Sequence, residues 1–561
     1  MNKKWQLYEE DEEKIKKIQE KYNVNKLIAT VLANRKIEEE QIKTFLEPTR
    51  ADFHNPYEMP DMEIAVNRII EAMDNKEKII IFGDYDVDGI TSITVLKSFL
   101  EERGMDVSEY IPDRLNEGYG LNKEAIKKIY DDGYRLMITV DCGISGIEEI
   151  DYANSLGMET IITDHHEAGE ILPRAIAVVD CKRKDNKYPF RELAGVGVAF
   201  KLAQAISMKL GLNEKEYLKY LDIVCVGTVS DIVPLVDENR VITKLGLMLV
   251  NQTNNLGLKS ILNSSGYKNI DSTAISFGVA PRINACGRMG HSEKALQLFL
   301  SKNYNEVQKL TNELNQYNKT RQDIEKRIFQ NASEQIEKNK LYENNAIIVK
   351  GENWHHGVIG IVSSKITEMY FKPSILLCEE DDLAKGSGRS IPGFDLHEAL
   401  LKCKDTIEKF GGHSMAIGIT IKNSNFEKFK EEFENIAKES NISDIVPIIN
   451  IDAKIDLDEI NKDMVESLKV LEPFGEGNKM PIFCFKNLKI DSIRALSEGK
   501  HLKLTLKYNN ILINAIGFNL GEYANDYRIG DKIDIAGTLE INSFGGVDNI
   551  QINIKDIMKS V

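Results

Sequence analysis

None of the seven cysteines stands in a CxxC pair. Without closely spaced thiols there is no nucleus for a structural zinc site, and scattered cysteines make no disulfide framework; both absences fit a reducing compartment. No stretch of about 18 uncharged apolar residues occurs, so no transmembrane helix is expected. The N-terminal MNKKWQLYEEDEEKIKK lacks the apolar run of a secretory signal. A cytoplasmic protein without membrane contact is therefore the expectation. A basic excess is missing too: 72 Lys and Arg stand against 88 Asp and Glu, a net charge of −16. Over the whole chain that argues against a nucleic-acid binder, which usually carries a basic footprint. It leaves room for one basic channel in a large acidic protein, and acidic residues that ligate a cation are offset by it.

What the sequence does have is length and periodicity. A chain of 561 residues exceeds one hydrophobic core and suggests about three or four domains. Residues 1–45 read as a helical N-terminal region. An α/β pattern follows: KIIIFGDYDVDG (78–89), RLMITVDCG (135–143), ETIITDHHE (159–167) and AIAVVD (175–180) are apolar runs ending in polar clusters, with helical stretches between them. This predicts a doubly wound parallel sheet in a domain placed at 46–302. Ligands of such sheets sit at the carboxyl ends of the strands, where the acidic and histidine clusters fall. Over 303–340 one long helix is expected. Val307, Leu310, Leu314, Tyr317, Ile324 and Ile328 recur at steps of three and four, with Arg321 in the missing step. The stripe suits a coiled-coil seam or a helix spanning two domains; its shortness and the Arg favour the spanning helix. A second α/β domain is placed at 341–445. The tail, 446–561, reads as all-β: Leu502, Leu504, Leu506 and Tyr508 alternate before an Asn509-Asn510 turn, as do Ile550, Ile552 and Ile554. An OB-like barrel and a small sandwich both fit.

The chemistry begins at GDYDVDGITS. Asp84, Asp86 and Asp88 alternate directly after an apolar strand, and in an extended segment they share one face, where a divalent cation relieves their repulsion. For a lone DxD a solvated loop is the better reading, and an EF-hand fits poorly because Lys97 and Ser98 stand in the region where its bidentate Glu belongs. Asp141 in TVDCGIS and Asp164-His165-His166 in TDHHE end two further strands, and convergence at one sheet edge turns the balance towards a metal site. Asp231 in GTVSDIVPL follows a predicted helix and adds a carboxylate. Asp/His donors without thiolate suit Mn²⁺ or Mg²⁺. Five or six such donors exceed the needs of one ion and suit two, roughly 3.5–4 Å apart and bridged by a carboxylate, which is the equipment for phosphoryl-bond hydrolysis.

The set GDYDVDG, VDCG, DHH and SDIVPL resembles the core motifs of the DHH phosphoesterase superfamily, and GGH at 411–413 resembles that of its DHHA1 partner domain. IPDRLNEGYGLN (111–122), PRINACGRMG (281–290), NWHHGVIGIVSSK (353–365), GSGRSIPGFDLHEAL (386–400) and LEPFGEGN (471–478) narrow the resemblance to its RecJ-type branch. It covers nearly the whole chain after residue 45. It implies that Asp86 and Asp141 hold one ion, Mn²⁺ in preference to Mg²⁺, and that Asp88, Asp141, His165 and Asp231 hold the other, with Asp141 bridging. Asp84 would be a ligand in some states and otherwise an orienter like Asp164; His166 would sit over the scissile phosphate. Phe82 stands where related pyrophosphatases carry a histidine, leaving the first ion more open to a polymer backbone. Arg114, Ser387 and Arg389 match a pocket for a 5′-terminal phosphate, for which the planar guanidinium fork is suited; a salt bridge of Arg114 to Glu117 is the alternative. Arg282, Asn284 and Arg288 would touch backbone phosphates, and His413 would reach the site from the second domain. Tyr119, Trp354 and Phe394 are candidates for base stacking, though isolated aromatics are usually core.

The resemblance thus implies a monomeric exonuclease that degrades single-stranded DNA from the 5′ end to 5′-mononucleotides in recombination and repair. Its implied partners are a single-strand-binding protein and a RecQ-type helicase. Two rivals remain: a DHH enzyme acting on short oligoribonucleotides or cyclic dinucleotides, which would not need the β tail, and a non-catalytic replication scaffold, which would lack ligands present here.

Overall fold

The computed structural model describes residues 3–9, 11–113, 117–118, 120–544 and 547–560. The chain divides into two compact units, one of Met1–His54, Ile232–Leu245 and Pro447–Val561, the other of Asn55–Asp231 and Gly246–Val446.

The second unit carries the predicted parallel sheet. Strands Ile79–Gly83, Leu136–Val140, Glu159–Asp164 and Ala177–Asp180 are the four apolar runs read from the sequence. A fifth, Val107–Tyr110, was not foreseen because it lies at the sheet edge and is only partly buried. The order is 107–110, 79–83, 136–140, 159–164, 177–180, every pairing parallel. Strands Ile79–Gly83 and Leu136–Val140 are buried at every position, which is why they read as unbroken apolar runs rather than alternating ones.

Helix Tyr304–Lys338 is the predicted spanning helix. Its first half packs on helices Leu256–Ser265, Ala280–Arg288 and Ser292–Leu300, its second on strand Ile347–Glu352 and helix His356–Tyr370. The stripe is therefore covered within the chain. Arg321 fills its step by pairing with Glu325 and donating to Asn318 Oδ1 (2.6 Å). Beyond the helix a mixed five-stranded sheet, from Ile347–Glu352 to Ala416–Lys422, forms the second α/β domain.

In the first unit, strands Phe483–Leu496, His501–Tyr508, Ile511–Gly517, Val547–Lys559 and Lys532–Phe544 pair in that order, and the last pairs back with the first. The closure makes a barrel of the OB type rather than a sandwich. Leu502, Leu504 and Leu506 are fully buried in it. The N-terminal region is not wholly helical: Lys4–Leu7 is a strand paired in parallel with Ile448–Ile451. Four residues whose partner lies more than 440 positions away leave no local signal. Helices Glu12–Tyr22, Lys26–Asn34 and Glu39–Leu46 place Ile15, Leu32, Ile42 and Phe45 in the same core as the barrel. The LEPFGEGN segment ties the unit together. Asn478 donates to the carbonyls of Leu471 and Pro473 (both 2.8 Å) and accepts from Arg35 (2.6 Å), while the buried Arg240 donates to the carbonyls of Phe45 (2.6 Å) and Glu472 (2.9 Å).

Candidate metal centre

The sheet delivers its polar residues one strand end at a time. Asp84 follows the strand Ile79–Gly83, and Asp86 caps helix Val87–Glu101, accepting from the amides of Asp88 (2.9 Å) and Gly89 (3.1 Å). The DYDVDG run is therefore not the extended ridge its alternation suggests. Asp88 lies in the first helical turn, buried, and accepts from the amides of Gly195 (2.6 Å) and Val196 (2.8 Å). Those amides open helix Gly195–Lys209, whose positive end faces a carboxylate. A Cβ at Gly195 would come within 2.6 Å of Asp141 Cβ, so this close approach requires glycine. Sequence reasoning passed over LAGVGV (193–198); its signal was a glycine pair opening the helix that follows the last strand of the sheet.

Asp141 follows strand Leu136–Val140 with φ 59°, a left-handed conformation uncommon outside glycine, of the kind often held at functional sites. Asp164 ends the next strand, almost fully buried. It accepts from the amides of Ile144 (2.9 Å) and His165 (2.7 Å) and holds His166 Nδ1 at 2.7 Å. These contacts occupy Asp164 with the local backbone and the His166 ring. His165 Nε2 lies 3.1 Å from Asp141 Oδ1, 3.6 Å from Asp231 Oδ2 and 3.8 Å from Asp88 Oδ2. Asp231 caps the end of helix Leu221–Ser230.

Three clusters result, each with ligand atoms within 4.8 Å of one another: Asp84, Asp86 and Asp141; Asp88, His165 and Asp231; and Asp141, His165 and His166. Asp141 joins the two outer sets, and Asp84 stands with Asp86 and Asp141. Burial, reinforced by Asp88, Asp86 and Asp231, pushes the Asp141 carboxyl far up. Burial and Asp86 raise Asp88 to about 7, and burial, Asp88 and Asp86 raise Asp231 to about 9. Burial and the neighbouring His166 hold His165 down at about 3, a neutral imidazole. Burial opposes the His166 cation, but the Asp164 hydrogen bond and charge reverse this and lift it to about 9. The buried His165 ring nitrogens make no well-formed hydrogen bond, although three carboxylates face Nε2. Crowded buried carboxylates around an unsatisfied neutral imidazole fit divalent cations.

One strand end was quoted from the sequence but given no role. Asp180, fully buried, pairs in register with Asp164; it accepts from the Lys182 amide (2.6 Å) and burial raises it to about 7.

The remaining candidates separate. His413 ends strand Lys409–His413 and lines a cavity of about 350 Å³ with Gly143, Ile144, Asp164, His166 and Glu167, so the second domain does meet the sheet edge. Ser387 and Arg389 alternate on strand Leu383–Arg389, and Arg389 donates to Ser387 Oγ at 2.9 Å. Arg114 and Tyr119 lie outside the described residues. The half-buried Arg282 guanidinium donates to Asn315 Oδ1 (2.7 Å) and to the Gly278 and Ser264 carbonyls. Asn284 accepts from the Val87 amide (3.3 Å), bracing the carboxylate-bearing turn, and Arg288 donates to the Gly357 carbonyl (2.7 Å), joining the two α/β domains. Trp354 and Phe394 are 7% and 5% exposed and packed in core clusters, so neither can stack on a base.

A parallel sheet whose strand ends gather one all-carboxylate set and two carboxylate–imidazole sets, linked through Asp141 and His165 and joined by a helix to a second domain whose histidine reaches the same cavity, defines a phosphoesterase of the DHH–DHHA1 class. Family comparison agrees: the DHH family N-terminal domain matches residues 78–228, the DHHA1 domain 343–439 and the RecJ OB domain 451–556. The single-stranded-DNA-specific exonuclease RecJ of Bacillus subtilis is 38% identical over 560 residues, 99% of this chain and 70% of that one. Its namesake in Haemophilus influenzae is 32% identical, over 90% and 92% of the two chains. The crystal structure of Thermus thermophilus RecJ in complex with Mn²⁺ superposes with a TM-score of 0.85 at 29% identity, covering 100% of this chain and 80% of that one; the same protein was also solved with Mg²⁺. The chain belongs to the RecJ family.

Proposed function

We propose that this protein is a single-stranded-DNA-specific exonuclease that hydrolyses phosphodiester bonds from the 5′ end, using two divalent cations. The observation that carries the reading is the row of ligand sets linked through Asp141 and His165. Bound cations supply the Lewis acidity that makes water a nucleophile and offsets charge at the phosphate. The chain supplies the rest. Asp86, Asp88, Asp141, His165 and Asp231 hold the ions, with Asp84 on the Asp86 side. Asp164 fixes His166 so that it can donate to a phosphate oxygen from within the cavity that His413 also lines. Ser387 and Arg389 would read the 5′ phosphate, with Arg114 as the expected third member. The domains are taken as 46–302, 341–445 and 446–561, and the barrel extends the grip on the strand.

In the cell we place it as a cytoplasmic monomer supplied with single strands by a single-strand-binding protein and a RecQ-type helicase. No helix among the described residues is long and apolar enough to cross a membrane. The test is a nuclease assay on 5′- and 3′-labelled single strands, duplexes and short RNAs, with Mn²⁺ and Mg²⁺ compared. Loss of the 5′ label as mononucleotide from single strands only is the expected result; preference for short RNAs or for 3′ ends would overturn it. The barrel and the match to full-length RecJ relatives weigh against the short-substrate reading.

A further inference from the structure

Near the sheet edge stands a cation that the ligand sets do not use. Lys182 lies two residues beyond the buried Asp180, in a loop fixed at its backbone. Its amide donates to Asp180 Oδ1 (2.6 Å), Arg191 donates to its carbonyl (2.6 Å), and Asn186 donates to the preceding Cys181 carbonyl (2.6 Å). A loop pinned three times presents its side chain in one direction. That side chain is only 17% exposed, although lysine is ordinarily among the most exposed residues. The ammonium stands 3.6 Å from Glu167 Oε1 and 3.9 Å from Glu192 Oε2, beyond hydrogen-bonding range of either. Glu167, the nearer of the two, is itself a lining residue of the cavity shared by His166 and His413. The ammonium is also within electrostatic reach of the ligands: after burial and His166, it is among the charges that depress His165, and after burial and the neighbouring carboxylates, among those that lower Asp231.

A shielded ammonium beside a metal-ion cluster, held on a rigid loop and only loosely paired, matches the need of a polyanion entering that cavity. We infer that Lys182 is a phosphate-binding residue of the active-site cleft, which holds a backbone phosphate of the bound strand next to the one being cleaved. The inference rests on the exonuclease reading. Asp180 acts through it as a positioning residue, setting the Lys182 backbone.

The test uses the full chain with Mn²⁺ and a 5′-phosphorylated single strand, measuring kcat and KM over a series of salt concentrations. Lys182→Gln is expected to lower kcat/KM about ten- to a hundredfold, the weight of one charge-assisted contact. The dependence of log(kcat/KM) on log salt should flatten by about 0.7, the contribution of one single-strand phosphate. The Mn²⁺ dissociation constant should not change, and Lys182→Arg, which keeps the charge, should keep the slope. Glu192→Gln, which removes only the outer acidic neighbour, should keep it as well. A Lys182→Gln enzyme with the wild-type rate and salt slope overturns the inference, since the lysine would then be only a partner of Glu167 and Glu192. So does a loss of rate accompanied by loss of Mn²⁺ affinity with an unchanged slope. A wild type inactive on single strands would instead overturn the exonuclease reading itself, so the two failures are distinguishable.

Discussion

The carboxyl edge of the five-stranded sheet and the core of the C-terminal barrel are equally shielded from water, and they are filled with opposite residues. At the sheet edge Asp88, Asp141 and Asp164 are 1–3% exposed, and burial raises the first two carboxyls. In the barrel Leu502, Leu504 and Leu506 are fully buried, each contributing about 2 kcal/mol by leaving water. Burial stabilises the barrel side chains. It destabilises the sheet-edge carboxylates until something cationic joins them. The difference teaches where to look for chemistry: at dry positions whose occupants would be better off wet. It also predicts that substitutions in the two regions move activity and stability in different proportions.

Asp141 should break the comparison most sharply. Asp141 belongs both to the set with Asp84 and Asp86 and to the set with His165 and His166, so its loss removes a donor from each. Asp141→Ala should lower kcat by about a thousandfold or more, since a catalytic ion contributes several kcal/mol and each 1.4 kcal/mol is tenfold. The isosteric Asp141→Asn should be equally inactive but should melt higher than wild type without metal, because a charge opposed by Asp88, Asp86 and Asp231 is gone. The Mn²⁺-induced rise in Tm should vanish in both. Single-turnover rates and melting curves with Mn²⁺ or EDTA decide it; near-normal turnover at saturating Mn²⁺ would refute the shared-aspartate assignment.

The barrel should not be removable in the way a terminal domain usually is. Truncation after Val446 takes away the partner of strand Lys4–Leu7, the Trp5–Asp556 hydrogen bond (2.7 Å), and the core that covers Ile15, Ile18, Ile28 and Leu32. Four such side chains represent about 8 kcal/mol of lost burial, within the range of a domain's entire stability. Residues 11–46 should therefore become protease-sensitive in the truncated chain, and mass spectrometry of the limited digest would show it. Protection equal to that of the full chain would mean that the N-terminal helices fold without the barrel.

The two regions were also unequally legible in the sequence. The sheet-edge strands announced themselves because each apolar run stops at a charged residue, and Asp141, Asp164 and His165 needed only the rule that ligands gather at carboxyl ends. The spacing of Asp84, Asp86 and Asp88 was visible, but not the helix that starts between them, because Asp86 as cap and Asp88 in the first turn look the same in sequence as an extended ridge. Gly195 was missed because its role is to let the distant Asp141 approach, and Asp180 and Lys182 because a lone acid and a lone lysine after a strand carry no motif. The barrel showed its alternation from Leu502 to Tyr508, while its sharing of a core with Ile15 and Leu32 depends on contacts spanning most of the chain. Trp354 and Phe394 were candidates by residue type alone, and burial excludes them.

Under the proposed function, Ser387 and Arg389 of the second α/β domain sharpen the comparison from the substrate side. Arg389 donates to Ser387 Oγ (2.9 Å) and to the Gly388 carbonyl (2.8 Å), which fixes the guanidinium plane on the strand. Arg389→Ala should weaken the preference for 5′-phosphorylated over 5′-hydroxyl ends by about ten- to a hundredfold, one or two charge-assisted contacts, with Mn²⁺ affinity unchanged. Initial rates on matched oligonucleotides test this; a mutant that keeps the full wild-type preference would reduce Arg389 to a structural role.

The smallest effect is expected at Asn284, where the sheet edge is braced and not built. Its Oδ1 accepts from the Val87 amide at 3.3 Å, a long bond at the start of the helix that carries Asp88. Helix N-terminal amides have no partner within the helix, so this side chain satisfies one of them and steadies the turn that presents Asp86 and Asp88. Such a bond is worth about 0.5–1.5 kcal/mol, and none of the metal donors is removed with it. Asn284→Ala should therefore lower kcat about two- to tenfold and weaken Mn²⁺ binding by a similar factor. Asn284→Asp, which keeps the acceptor but adds charge beside the cluster, should restore the brace and bind Mn²⁺ at least as tightly as wild type. Titrating activity against Mn²⁺ for the three proteins separates the possibilities. A collapse in kcat as large as that of Asp141→Ala, not recovered at high Mn²⁺, would show that Asn284 contacts the reacting groups directly. A rate and a Mn²⁺ midpoint equal to wild type in Asn284→Ala would show that the turn is held by its own capping hydrogen bonds, from Asp88 and Gly89 to Asp86, without help from the helix behind it.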